Sequence, residues 1–183
     1  MTNTRAATRQ TAAGVPAPGR YRIDPARSSV TFRTRHLFGL GVVSGIMAIT
    51  HGEMTIDPGR GQATVTAVIS AASFSTGNRA RDRDVRSAKF LDTGQYPHIT
   101  FRGGTLSHDR RRWTLAGDLT VRQVSSPVLL AIEAIELAGA GFQAHAATRI
   151  DRYAFNVTAA KGMAARYLGI DLAVTAEPWQ PQR

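Results

Sequence analysis

Apolar and polar residues alternate along most of this chain, which is the period of half-buried strands. Residues 29–36 set the pattern. Val30, Phe32, Thr34 and His36 fall on one face, and Thr31, Arg33 and Arg35 fall on the other. Long cations opposite branched and aromatic residues predict one wet face and one covered face. Residues 43–56 are long enough for a single extended strand, with Gly45 and Gly52 as the expected bends. Asp57-Pro58-Gly59-Arg60-Gly61 is a turn signal, after which residues 63–70 run back. Further on, Trp113, Leu115, Gly117, Leu119 and Val121 share a face, between turns expected at 107–112 and 123–127. Residues 128–137 alternate imperfectly and could be read as helical, but Pro127 and the β-branched residues favour strand there. Gly139 to Gly141 turn the chain, 142–150 run back, and 168–177 close it. The pattern predicts about eight strands, mostly joined by short turns.

One stretch, 73–101, breaks the alternation. Arg79, Arg81, Asp82, Asp84 and Arg86 recur at helical spacing, followed by Phe90-Leu91 and then Tyr96-Pro97. This predicts a charged helical crossover set between strands. Arg79, Asp82 and Arg86 stand three and four residues apart, so they can form ion pairs along one helix face. That makes them either a solvated surface or anchors to neighbouring strands. Phe90-Leu91 is expected to turn inward and close one end of the fold.

Sequential antiparallel strands leave two open edges, which closure into a barrel removes. A barrel of about eight strands is either filled by its side chains or holds one small ligand. Several small residues are assigned inward: Ala67, Gly117, Ala144, Ala146 and Ala173. They leave room for an apolar ligand, although the same residues could also pack a solid core.

Bulk properties narrow the choices. The 183 residues predict one domain. No run of 18 or more apolar residues exists to cross a membrane as a helix. The absence of cysteine removes disulfides, thiol nucleophiles and thiolate metal sites. The net charge is +10, with arginine outnumbering lysine by 21 to 2. Those arginines are scattered, and Phe32 lies on the face opposite Arg33 and Arg35. The arrangement predicts a solvated basic surface, with no nucleic acid as partner. The first 20 residues lack an apolar secretory core, so a disordered leader and a cytoplasmic location are expected.

Candidate chemistry is sparse. His36, His51, His98, His108 and His145 show no metal-ligand spacing, and no metal is expected. There is no Gly-x-Ser-x-Gly elbow. His36 ends its strand on the apolar face, where it reads as a capping residue, a headgroup donor or a general base. The last role defines the alternative function, an enzyme acting on a small apolar substrate.

An ordered set of motifs changes the balance. Tyr21-Arg22-Ile23-Asp24-Pro25 is followed by Ser28-Ser29-Val30-Thr31-Phe32 and His36, then by Gly45-Ile46-Met47. The crossover supplies Ser73, Thr76, Arg81-Asp82, Arg86-Ser87, Phe90-Leu91-Asp92 and Tyr96-Pro97 through Phe101. Gly117-Asp118-Leu119-Thr120, Pro127-Val128 and Ile150-Asp151-Arg152 with Phe155 complete the series. From Tyr21 to Glu177 the chain resembles the YceI-like family, also called polyisoprenoid-binding proteins. It departs from the family pattern at Arg27, Met47, Gln123 to Ser126, and Asn156, which stands where the family has glycine after Phe155.

The resemblance implies an all-β fold: an extended eight-stranded antiparallel lipocalin-like barrel with a helical insertion between strands. It divides the chain into a leader (1–20), a barrel domain (21–178) and a tail (179–183). It implies a long apolar channel holding an isoprenoid or other long-chain lipid, with no catalysis and no cofactor beyond that polyisoprenoid or fatty-acyl ligand. A second copy of the chain, as a homodimer, is a further candidate partner. The expected channel wall comprises Phe32, Met47, Ile69, Phe90, Ile99 and Phe101, together with Leu119, Leu130, Ile132 and Phe155. His36 and Arg81 are the expected polar contacts near a mouth, where residues 161–168 could form a flap.

Overall fold

A computed structural model describes residues 12–36, 41–60, 62–109 and 112–180. In chain order its strands are β1 (Ala12–Ala13), β2 (Gly19–Ile23), β3 (Ser29–His36), β4 (Gly41–Met47), β5 (Ile49–Asp57) and β6 (Gln62–Ser70). The helix α1 (Arg79–Arg86) follows. After it come β7 (His98–Asp109), β8 (Arg112–Val121), β9 (Val124–Ala138), β10 (Gly141–Asp151) and β11 (Tyr167–Pro178).

All pairings between these strands are antiparallel, and they close. The ring runs β9, β8, β7, β6, β5, β2, β11, β10 and back to β9, so eight strands form the expected barrel. The hairpin of β3 and β4 stands outside this ring. β2 pairs with residues 176–178 of β11, and β3 pairs with 169–173 of the same strand. Two short strands thus occupy one edge of β11 in succession, and the wall is longer on that side. The exposed edge of β4 is met by the crossover. The Ile46 N–H donates to the Ser75 carbonyl (2.8 Å), and the Ser75 N–H donates to the Ile46 carbonyl (3.0 Å).

Several sequence expectations are revised by this geometry. The single strand expected over 43–56 divides at Ala48, whose N–H donates to the Ser73 hydroxyl (2.8 Å). The turn expected at 123–127 contracts to Arg122 and Gln123, with φ of 50° and 66°. Two left-handed residues make a tight hairpin whose twist matches its strands, which leaves Pro127 inside β9. β7 continues through 107–109, where a turn was expected. Within the expected leader, Ala12 and Ala13 pair with Leu137 and Glu136 of β9 and β2 begins at Gly19, while residues 1–11 lie outside the described residues.

Side-chain alternation decides what faces inward. On β11 the inward set is Leu168, Ile170, Leu172 and Val174. Ala173 therefore falls on the outer face, contrary to its inward assignment. Gly117 faces inward but contributes no volume. A Cβ there would lie 2.7 Å from the Phe101 ring and 2.5 Å from the Arg102 carbonyl. Gly45 plays the same part on β4, where a Cβ would come within 2.3 Å of the Phe32 ring. Each glycine lets an aromatic ring lie flat on the neighbouring strand. Phe32 in turn stacks on Phe74 from the crossover, with ring centroids 4.7 Å apart.

Candidate functional site

The barrel interior is not filled. Its apolar side chains enclose a cavity of about 540 Å³, within the range of small-molecule sites. The lining draws on β2 through β11 and on the crossover, and it is almost wholly aliphatic or aromatic. Its hydroxyl-bearing and charged members among the described residues are Thr34, Arg81, Asp84, Thr148 and Arg152.

The wall residues expected from sequence converge on this cavity. Phe32, Met47, Ile69, Phe90, Ile99, Phe101, Leu119, Leu130, Ile132 and Phe155 all line it, as does Arg81. Ala67, Ala144 and Ala146 line it too, so their smallness does leave space. His36 ends β3 opposite Gly41, and its side chain lies outside the described residues. Among the described residues, no group of three or more His, Asp or Glu could hold a metal ion.

The cavity reaches the surface at the end where β10 passes into β11. Met163 lines it while remaining 62% exposed. Ala160 from the same connection and Asp84 from α1 are likewise both lining and exposed. At the opposite end Val15, between β1 and β2, has the same double character.

Two buried charged residues build the first of these ends. Asp82 sits on α1 among arginines, yet it is buried at 7% exposure. Its carboxylate accepts from the Thr76 N–H (2.9 Å), the Thr76 hydroxyl (2.6 Å) and the Ser75 hydroxyl (3.3 Å). The Arg81 Nε donates to the same Thr76 hydroxyl oxygen (2.8 Å). Arg86 donates to the Phe74 carbonyl through Nε (3.1 Å) and Nη2. Of the two readings of this charged run, the anchor is the one that forms. The ion pairs expected among Arg79, Asp82 and Arg86 do not appear among the described residues. Asn78 caps the helix by accepting from the Ala80 and Arg81 N–H groups (both 3.1 Å). Arg122, at the β8–β9 turn, donates to the Phe90 carbonyl (2.8 Å) and fixes the apolar half of the crossover.

Arg152 is the second buried charge, at 6% exposure, and strand alternation does not single it out. Its guanidinium donates to the carbonyls of Ala165 (2.9 Å), Val157 (2.6 Å) and Ala164 (3.1 Å). These bonds tie down the connection that rims the cavity. Burial lowers the pKa of Arg152 from its ordinary value. Beside it, Arg166 grips Asp151 with two nitrogens, at 2.9 and 2.6 Å from Oδ2. Asn156 adopts the left-handed conformation with φ of 58°, which fits a position where the family pattern has glycine.

The Asp82 carboxyl is held below its ordinary value of 3.8, chiefly by the Thr76 hydroxyl. Asp151 is lowered likewise, chiefly by Arg166. A carboxylate with a depressed folded pKa adds stability above its unfolded pKa, and that stability is lost as pH falls through the folded value. These two groups should therefore contribute fully at neutral pH and lose their contribution below about pH 4. Thermal melts of Asp82→Asn should show a lower neutral-pH midpoint and a shallower acid decline than wild type. Parallel acid declines would remove Asp82 from this account.

A closed antiparallel barrel around an apolar cavity, with one helical crossover, defines a lipocalin-like barrel. Within that class the chain belongs to the YceI-like family: the YceI-like domain model matches residues 21–177. Protein YceI of Escherichia coli O157:H7 is 30% identical over 175 residues, covering 90% of this chain and 89% of that protein. The fold is shared with Burkholderia cenocepacia BcnA at a TM-score of 0.75 and 21% identity, over 85% of this chain and 99% of that one. It is also shared with a polyisoprenoid binding domain from Saccharophagus degradans at a TM-score of 0.68 and 13% identity, over 87% and 98%.

Proposed function

We propose that this protein binds a long-chain isoprenoid or another amphipathic lipid, threading the apolar tail through the barrel without chemical change. The observation that carries the reading is the cavity itself, apolar along its wall and open beside Met163. A solid core would have left no such space. Tail binding needs only burial. Each methylene taken from water contributes ~0.8 kcal/mol, so about ten contribute ~8 kcal/mol before the cost of association. Phe32, Phe101 and Phe155 act as rigid walls in this reading, and Arg81 contacts the headgroup from the rim. The polyisoprenoid-binding description of the Saccharophagus domain supports the same ligand class.

Organic extraction of the purified protein, followed by mass spectrometry, tests the proposal. A long-chain lipid near one equivalent per chain is expected. Protein that yields none, and that takes up no fluorescent prenyl or acyl probe, would overturn it.

A further inference from the structure

The connection between β10 and β11 carries a surface that the cavity alone does not require. Met163 projects from the rim at 62% exposure, and Tyr167 follows at 43%. Cations are interleaved with these groups and held against aromatic rings. The Tyr153 ring centroid lies 5.4 Å from the Lys161 Nζ and 5.1 Å from the Arg166 Cζ. The Tyr167 ring lies 4.2 Å from the Arg149 Cζ and 5.4 Å from the Arg166 Cζ. The acidic group packed into this cluster is Asp151, and Arg166 already neutralises it. Across the mouth α1 adds Arg81 and Asp84 to the same lining.

We propose that this rim docks on an anionic lipid bilayer, with Met163 and the two tyrosines entering the interface and Lys161 and Arg149 meeting lipid phosphates. The inference rests on the lipid-binding reading and deepens it, because it names where the tail enters. Tyrosine rings with an apolar body and a polar tip suit the headgroup region. Long cationic side chains can reach phosphate while their stems stay with the rings. An anionic surface attracts such clustered cations within a Debye length. A protruding methionine at the opening gives a tail an apolar path from bilayer to cavity. An acidic protein partner would satisfy the cations but would not explain why the exposed apolar group also lines the cavity.

The full chain should be sedimented with vesicles of phosphatidylcholine alone, and with vesicles containing equal phosphatidylcholine and phosphatidylglycerol. Binding to the mixed vesicles only, released by salt, is expected. Lys161→Glu should weaken it by roughly fivefold or more, since each cation near an anionic surface is worth about fivefold in partition. Met163→Asp should weaken it comparably. Arg112→Glu carries the same charge change at the far end of the barrel and should bind as wild type. Failure of the wild type to bind mixed vesicles would overturn the proposal. So would equal losses in Lys161→Glu and Arg112→Glu, or capture by polyglutamate in place of vesicles. Lipid extraction from the same preparations separates the two readings. Protein that holds lipid yet ignores vesicles rejects docking alone, and protein that binds vesicles yet holds no lipid rejects carriage alone.

Discussion

Arg152→Leu is expected to lower the melting temperature by about 10 °C and to loosen the rim between β10 and β11. The guanidinium is the shared donor to three carbonyls, those of Val157, Ala164 and Ala165. Leucine would preserve some packing but leave those acceptors without that donor. Hydrogen bonds to charged groups contribute ~1.5–3 kcal/mol each, and the desolvation of Arg152 offsets part of that. A net loss of roughly 3 kcal/mol follows, at 2–4 °C per kcal/mol for a protein of this size. Arg152→Lys should recover only part of the loss, because one ammonium cannot reproduce the planar fork. The local signature is proteolytic. Lys161 and Arg166 lie in the tied segment, so trypsin should cut the leucine variant there faster than wild type. A variant with unchanged melting temperature and unchanged cleavage would show that the segment is held by other contacts.

Strand faces were legible because the period of two leaves little choice once a few aromatic residues are placed. Phe32, Phe101 and Leu119 follow from that alternation, and all three line the cavity. Smallness was a poorer guide to volume. Gly117 and Gly45 are small because the Phe101 and Phe32 rings take the adjacent space. Ala173 is out of phase with Ile170, Leu172 and Val174, which carry the inward face of β11. The position of the β3–β4 hairpin outside the ring also escaped the sequence. Local pattern does not reveal that β2 and β3 share one neighbour. The buried charges were hardest to read. Asp82 resembles its solvated neighbours on α1, and its partners Thr76 and Ser75 reach it only through the turn before the helix. Arg152 has a role only once the chain from Val157 to Ala165 returns over it. Both belong to motifs that carry the family resemblance, which was the one available signal.

Ala146→Trp should reduce lipid binding by nearly a thousandfold while leaving the barrel folded. Ala146 lies on β10 between Ile132 of β9 and Leu172 of β11, and all three line the cavity. An indole at this position enters the open interior, where it displaces on the order of five methylenes of a bound tail. At ~0.8 kcal/mol each the loss is ~4 kcal/mol, close to three decades in affinity. Ala147→Trp is the matched control. Strand alternation puts the same ring on the outer face one residue later, so its binding should remain that of wild type. The pair also separates a cavity from a packed core. In a packed interior the indole at 146 would cost ~1–3 kcal/mol or more of stability through overpacking. With about 540 Å³ of space to enter, its melting temperature should stay within a few degrees of the 147 variant. Equal lipid retention by the two variants, measured by extraction and by titration with a fluorescent acyl probe, would place the ligand elsewhere than in this barrel.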